Sequence, residues 1–244
     1  MPGMFDSVDH VVEALAAERF RATRATATAV YLAAKVGNPL FVQGPHGVGK
    51  TSLCKAIANA AGASLVQLQT GSVGPGGGDT NPMLIFLDDV SPADGGLLQL
   101  ARELVTEEAS GSEAQRPWVV LTAASADGLL APLWERCRPV LLGYPEFECE
   151  VSIVMERVPG LSRGLAGQLC NVAGRLRGGA FERSPGVGES ISWARALVGL
   201  RCSRIDAEML DQSAARLFSL AEDVHRFRAT DLATLVTPGL SCAA

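Results

Sequence analysis

The stretch Gly44-Pro45-His46-Gly47-Val48-Gly49-Lys50-Thr51 follows the pattern G-x-x-x-x-G-K-[ST] in full, and it constrains the fold more than any other segment. Such a segment works only as a tight turn between a strand and a helix. Both flanks are present: a short apolar run at residues 39–43 precedes it and a helix-like stretch at 52–61 follows. The glycines let backbone N–H groups close around phosphates, and the helix N-terminus adds its positive dipole end. In that arrangement Lys50 reaches the β- and γ-phosphates and the Thr51 hydroxyl ligates Mg²⁺. A chance glycine turn is the alternative, and the coincidence of strand, turn and helix argues against it. The motif predicts a nucleoside triphosphate site.

A second strand supports it. Residues 83–87 are apolar throughout and are followed by Asp88-Asp89. A strand ending in a carboxylate puts that acid beside a phosphate loop, where it helps hold Mg²⁺. The neighbouring acid is then placed to orient or deprotonate an attacking water. Without the phosphate loop, an acidic strand end with no catalytic task would be the better reading.

The chain divides into two compositional halves. Helices are predicted at 7–17 and 23–35, the second stopping at Gly37-Asn38, and strands at 39–43, 64–68, 83–87, 117–122 and 140–142. Alternating strand and helix implies a parallel sheet covered on both faces. Beyond Tyr144-Pro145 strand signals cease, and 146–158, 161–177, 187–200 and 206–226 read as helices. The expectation is an α/β nucleotide domain over 1–145 and a small helical domain over 146–244.

Composition narrows the partners. The net charge of −5 contains no basic run, so no face is marked for nucleic acid. No apolar stretch approaches the roughly twenty residues that span a bilayer. Residues 1–10 lack the basic start and apolar core of a signal peptide. Six cysteines lie scattered without a C-x-x-C pair, and His10, His46 and His225 complete no ligand set with them. Reduced, mostly buried thiols in a cytoplasmic protein are expected.

Segments 44–51, 87–94, 133–137, 143–145 and 185–197 occur in an order that resembles the MoxR group of AAA+ ATPases, especially its CoxD-like branch. The resemblance runs from about Val8 to Ala229. Its discriminating parts are Gly143-Tyr144-Pro145 and the helix carrying Trp193-Ala194-Arg195-Ala196-Leu197. It implies a P-loop AAA+ fold, with a parallel five-stranded sheet, flanking helices and a small all-α lid. It further implies an ATPase forming a homo-oligomeric ring, usually hexameric. Such a ring remodels or activates a client, often in metalloenzyme maturation, beside a partner with a von Willebrand A domain.

By position in that family, Gly44 through Thr51 bind ATP, Thr51 and Asp88 associate with Mg²⁺, and Asp89 is the catalytic acid. Arg136 falls at the arginine finger, with Arg138 close enough to exchange roles. Arg195 corresponds to a lid residue that senses the γ-phosphate. Both arginines also have plain alternatives as solvated charges. Two departures stand out. Asp89 replaces the usual Glu, withdrawing the carboxylate by about 1.5 Å, and misplacement of about 1 Å can cost on the order of 10²-fold in rate. Ala123-Ala124 stands where an Asn usually contacts the γ-phosphate, leaving Thr122 or Ser125 as substitutes. The span at 71–79, rich in Gly, reads as a flexible connector. Two functions therefore remain open: a slow Mg-ATP-hydrolysing remodeller, or a nucleotide-binding assembly or regulatory subunit with little hydrolysis.

Overall fold

The computed structural model of the chain describes residues 4–68, 83–106, 117–127, 135–179, 181–213, 217–218, 220–230 and 232–236. The segment 71–79 lies outside the described residues. Two compact units form: Met1–Pro45 with Lys50–Gly143, and His46–Gly49 with Tyr144–Ala244.

In the first unit, helix Val8–Ala17 starts where the Ser7 side chain accepts the His10 amide. Helix Arg24–Val36 starts the same way at Thr23, which accepts from Thr26. It ends at Gly37, whose φ of +79° is open to glycine at little steric cost. Five strands follow: β1 (Leu40–Gln43), β2 (Ser64–Leu68), β3 (Met83–Leu87), β4 (Trp118–Ala123) and β5 (Arg138–Leu141). All pair in parallel, in the order β2-β3-β4-β1-β5. Their carboxyl ends therefore share one edge of the sheet, where open α/β sheets bind ligands.

The two-residue period of the strands sorts the core. Leu40, Val42, Leu84, Phe86, Trp118 and Val120 pack with Leu53 and Ile57 of helix Lys50–Ala60. The alternate positions Phe41, Ile85, Leu87, Val119 and Leu121 pack with Leu97 and Ala101 of helix Gly95–Thr106 on the other face. Both faces are covered, as a parallel sheet requires.

Two expected elements differ in extent. The last strand, expected at 140–142, begins at Arg138 and runs through Pro139. This strand is an edge: Arg138 and Leu142 turn their N–H groups to β1, so the intervening Pro139 has its nitrogen on the open side, where a missing donor is tolerated. The single helix expected over 206–226 is instead two, Ala207–Ser213 and Ala221–Arg228. Between them the adjacent residues Leu217 and Phe218 are both buried, and Leu220 is extended at φ −107°, ψ 134°. Phe218 stacks between Phe181 and Phe227, with centroids 5.0 and 5.4 Å away.

The second unit contains helices Phe147–Arg157, Arg163–Arg177, Val187–Gly199, Ala207–Ser213, Ala221–Arg228 and Leu232–Val236. Trp193 is fully buried at its centre, and its indole N–H donates to the Ser213 hydroxyl at 2.8 Å. Among the described residues no helix is long and apolar enough to cross a membrane.

Candidate functional site

At the carboxyl edge of the sheet, β1 runs into Gly44 and Pro45, and helix Lys50–Ala60 begins with the two motif residues that carry side-chain chemistry. Lys50 is only 9% exposed. Its ammonium turns back on the loop, donating to the carbonyls of Gly44 at 2.8 Å and Pro45 at 3.0 Å. Burial pushes its pKa down, while the charges of Asp89 and Asp88 pull it back up.

Asp88 follows the last residue of β3 and is half-buried. Its carboxylate accepts from Thr122 at 3.0 Å on Oδ1 and from Gln67 at 3.0 Å on Oδ2. The Thr51 hydroxyl stands 3.4 Å from each oxygen. That is long for an O–H···O bond, whose usual range ends near 3.0 Å. Thr51 and Asp88 thus face each other across a loosely bridged gap.

The strand order explains this meeting. β4 lies between β3, which ends in the acid, and β1, which ends in the loop. Its end is bonded to both: Gly44 N–H donates to the Ala123 carbonyl at 3.3 Å and Val90 N–H to the Thr122 carbonyl at 2.7 Å. Asp89 is exposed and adopts the left-handed region at φ +58°, its N–H donating to the Thr122 hydroxyl at 2.9 Å.

The other expected residues are dispersed. Arg136 is exposed in the turn before β5, and Arg138 is exposed within it. Arg195 is exposed on helix Val187–Gly199. Ala124 is exposed, and Ser125 bonds Asp127, its Oγ 2.5 Å from Oδ2. Of the two substitutes for the missing Asn, only Thr122 reaches the acids. Gln67 is a member of the group that sequence reasoning missed. Its one signal was a polar side chain next to the carboxyl end of a strand.

The loop tip, His46–Gly49, belongs to the second compact unit. There the Tyr144 hydroxyl donates to the His46 carbonyl at 2.9 Å, and Val187 N–H donates to the Gly47 carbonyl at 3.0 Å. Gly47 has φ +70°, and a Cβ on Gly186 would fall 2.4 Å from its Cα, so both positions require glycine. Beneath Tyr144 the Arg177 guanidinium lies 4.3 Å from the ring centroid. Arg177 pairs bidentately with Glu150 and also donates to the Pro185 carbonyl at 2.7 Å. Ser190 donates to Glu150 at 2.9 Å, completing a closed network around a carboxylate that is 2% exposed.

Thr51 and Asp88 supply hard oxygen donors on opposite sides of one gap. This suits Mg²⁺, which takes one or two protein oxygens with phosphate oxygens and retained waters. Among the described residues no cluster of three or more His, Cys, Asp or Glu side chains could form a metal cage.

Comparison with known proteins agrees with this geometry. Residues 40–83 match the model of the AAA family, the ATPase family associated with various cellular activities. No curated protein is a significant match to the sequence. Among solved structures, a RuvB variant from Thermotoga maritima superposes with a TM-score of 0.54 at 14% identity, over 86% of this chain and 70% of that one. The Thermotoga maritima RuvB Holliday junction branch migration motor gives 0.52 at 15% identity, over 85% and 68%. The chain has the P-loop AAA+ fold of these proteins, with its five-stranded parallel sheet, flanking helices and a helical C-terminal region.

Proposed function

We propose that this protein binds ATP with Mg²⁺ and hydrolyses it slowly to remodel or activate a partner protein, as a MoxR-type AAA+ ATPase in the cytoplasm. The observation that carries the reading is the meeting of Lys50, Thr51 and Asp88 at the carboxyl edge of the sheet, with Thr51 and Asp88 3.4 Å apart. In this reading residues 1–145 form the nucleotide domain and 146–244 the lid.

Lys50 exchanges its two loop carbonyls for the β- and γ-phosphates, and backbone N–H groups of 44–51 surround the chain of phosphates. Thr51 and Asp88 hold Mg²⁺, which when bound neutralises charge on the β- and γ-phosphates. Asp89 orients the attacking water and takes its proton. Arg136, exposed beside the edge strand, approaches the γ-phosphate of a neighbouring subunit in a homo-oligomeric, hexameric ring. Arg195 senses the γ-phosphate from the lid. The client belongs to metalloenzyme maturation and works with a von Willebrand A protein. The net charge of −5 without a basic run speaks against a Holliday junction, on which the similar RuvB motor acts, as the partner here.

Calorimetry with Mg-ATP tests the binding step: Lys50→Ala should abolish it with the fold intact, and an unchanged affinity sinks the assignment. Arg136→Ala should keep binding but lose about 10³-fold in rate, the lower end of an arginine finger's effect. It should also lose the rise of specific activity with protein concentration. Activity independent of concentration in a strictly monomeric protein excludes the arginine in trans. A pull-down with trapped ATP identifies the client.

A second reading, a nucleotide-holding regulatory subunit, is favoured by one feature. Ala124 offers no polar side chain beside the acids, and the Thr122 hydroxyl is already bonded to them. A steady-state ATPase assay separates the two.

A further inference from the structure

We infer that Thr122 is the positioning residue of the acidic half of this site, setting the direction of both Asp88 and Asp89. The inference rests on the proposed Mg-ATP function and deepens it. Thr122 is fully buried. It is the next-to-last residue of β4, on the sheet face shared with Val120, Phe86 and helix Lys50–Ala60. Three bonds tie it to three consecutive residues. Its hydroxyl donates to Asp88 Oδ1 at 3.0 Å, it accepts the Asp89 N–H at 2.9 Å, and its carbonyl accepts the Val90 N–H at 2.7 Å.

A hydroxyl has one proton to give. Thr122 spends it on Asp88, so it has none for a γ-phosphate and cannot replace the missing Asn. It acts on the acids. The left-handed backbone of Asp89, at φ +58°, is uncommon for a residue with a Cβ, although Asp adopts it more readily than most. The flanking bonds from Thr122 to Asp89 and Val90 hold it here. The β-branched side chain has few χ1 choices, which keeps the hydroxyl aimed. Gln67 holds the other Asp88 oxygen from β2, so the carboxylate plane is fixed from both sides toward Thr51.

The test uses the full chain and a fluorescent ATP analogue, titrated with excess Mg²⁺ and with EDTA, for wild type, Thr122→Val and Thr122→Ser. Thr122→Val keeps shape and removes the hydroxyl; it should lower the Mg²⁺-dependent gain in affinity about tenfold, the loss of one hydrogen bond to a charged group. Affinity in EDTA should shift less than twofold. Thr122→Ser should restore the gain to within about threefold, because the hydroxyl returns with a looser rotamer. A merely structural role moves both titrations together and is not rescued by serine, which overturns the inference. Selective loss of ATP over ADP binding in EDTA overturns it too, by assigning Thr122 to the phosphate. If Thr122→Val leaves the Mg²⁺ gain intact, the inference fails while the function stands. If wild type shows no Mg²⁺-dependent binding, both fail.

Discussion

The two units handle buried polarity in opposite ways. In the helical unit, Glu150 receives both Arg177 nitrogens and Ser190, and Asp223 receives the amides of Glu182 and Arg183 at 2.9 Å each. Both of these buried carboxylates are met at short range from within their own unit. At the edge of the sheet, Lys50 makes do with loop carbonyls and Thr51 stands 3.4 Å from two carboxylate oxygens. Two acids also share one lysine. A closed network stabilises a fold, whereas the 3.4 Å gap between Thr51 and a carboxylate already fixed by Thr122 and Gln67 leaves room for something that arrives later. The difference separates structural polarity from a site more reliably than burial does, since Lys50 and Arg177 are both nearly covered.

The comparison breaks most easily at Arg177. Arg177→Met should destabilise the helical unit by about 3–5 kcal/mol, because Glu150 is left charged and buried without its partner. Denaturant unfolding measures this. A change below about 1 kcal/mol would show that the network is not closed in the sense argued.

Asp88→Asn tests the opposite case. Removing a charge from the open site should lower Mg²⁺-dependent nucleotide affinity about tenfold or more. Stability should change by less than about 1 kcal/mol, or rise, as one of two neighbouring negative charges disappears. A loss of stability equal to that of Arg177→Met would erase the distinction between the units.

Alkaline pH should weaken both units, and the first one more, because burial pushes the Cys54 thiol there well up too. Burial pushes Cys137 in the first unit and Cys170 in the second up to about 12, from 9.0. The folded thiol stays neutral while the unfolded one ionises, so the stabilisation is complete below pH 9 and is lost as pH rises toward 12. Each thiol should account for about 1 kcal/mol at pH 10. Monitoring unfolding between pH 8 and 11 would reveal a unit that resists, contrary to this sign.

The smallest effect should come from Gln67→Ala. Its bond to Asp88 is exposed to water, so Mg²⁺-dependent affinity should fall only about twofold to threefold, corresponding to about 0.5 kcal/mol. An effect as large as that of Thr122→Val would mean that the two fixing bonds matter equally.

Much of the fold was legible because its signals are local. The phosphate loop, the strands at 64–68 and 83–87, the helix from about 23 and its stop at Gly37 all depend on residues within a few positions of one another. Hydrophobic period, cap chemistry and glycine placement operate at that range. They implied a parallel α/β sheet and marked Lys50, Thr51 and Asp88 as a group.

Tertiary structure alone decided the rest. The placement of β4 between β1 and β3 turns Thr122 toward Asp88 across 34 positions of chain, and the pairing of β2 with β3 brings Gln67 to the same carboxylate. Arg177 and Glu150 meet across 27. The break near Phe218 follows from aromatic packing against Phe181 and Phe227, against a helical period that ran on through it. Such pairings depend on strand order and on which faces come together. A chain sets those through contacts distant in sequence, which no local pattern records.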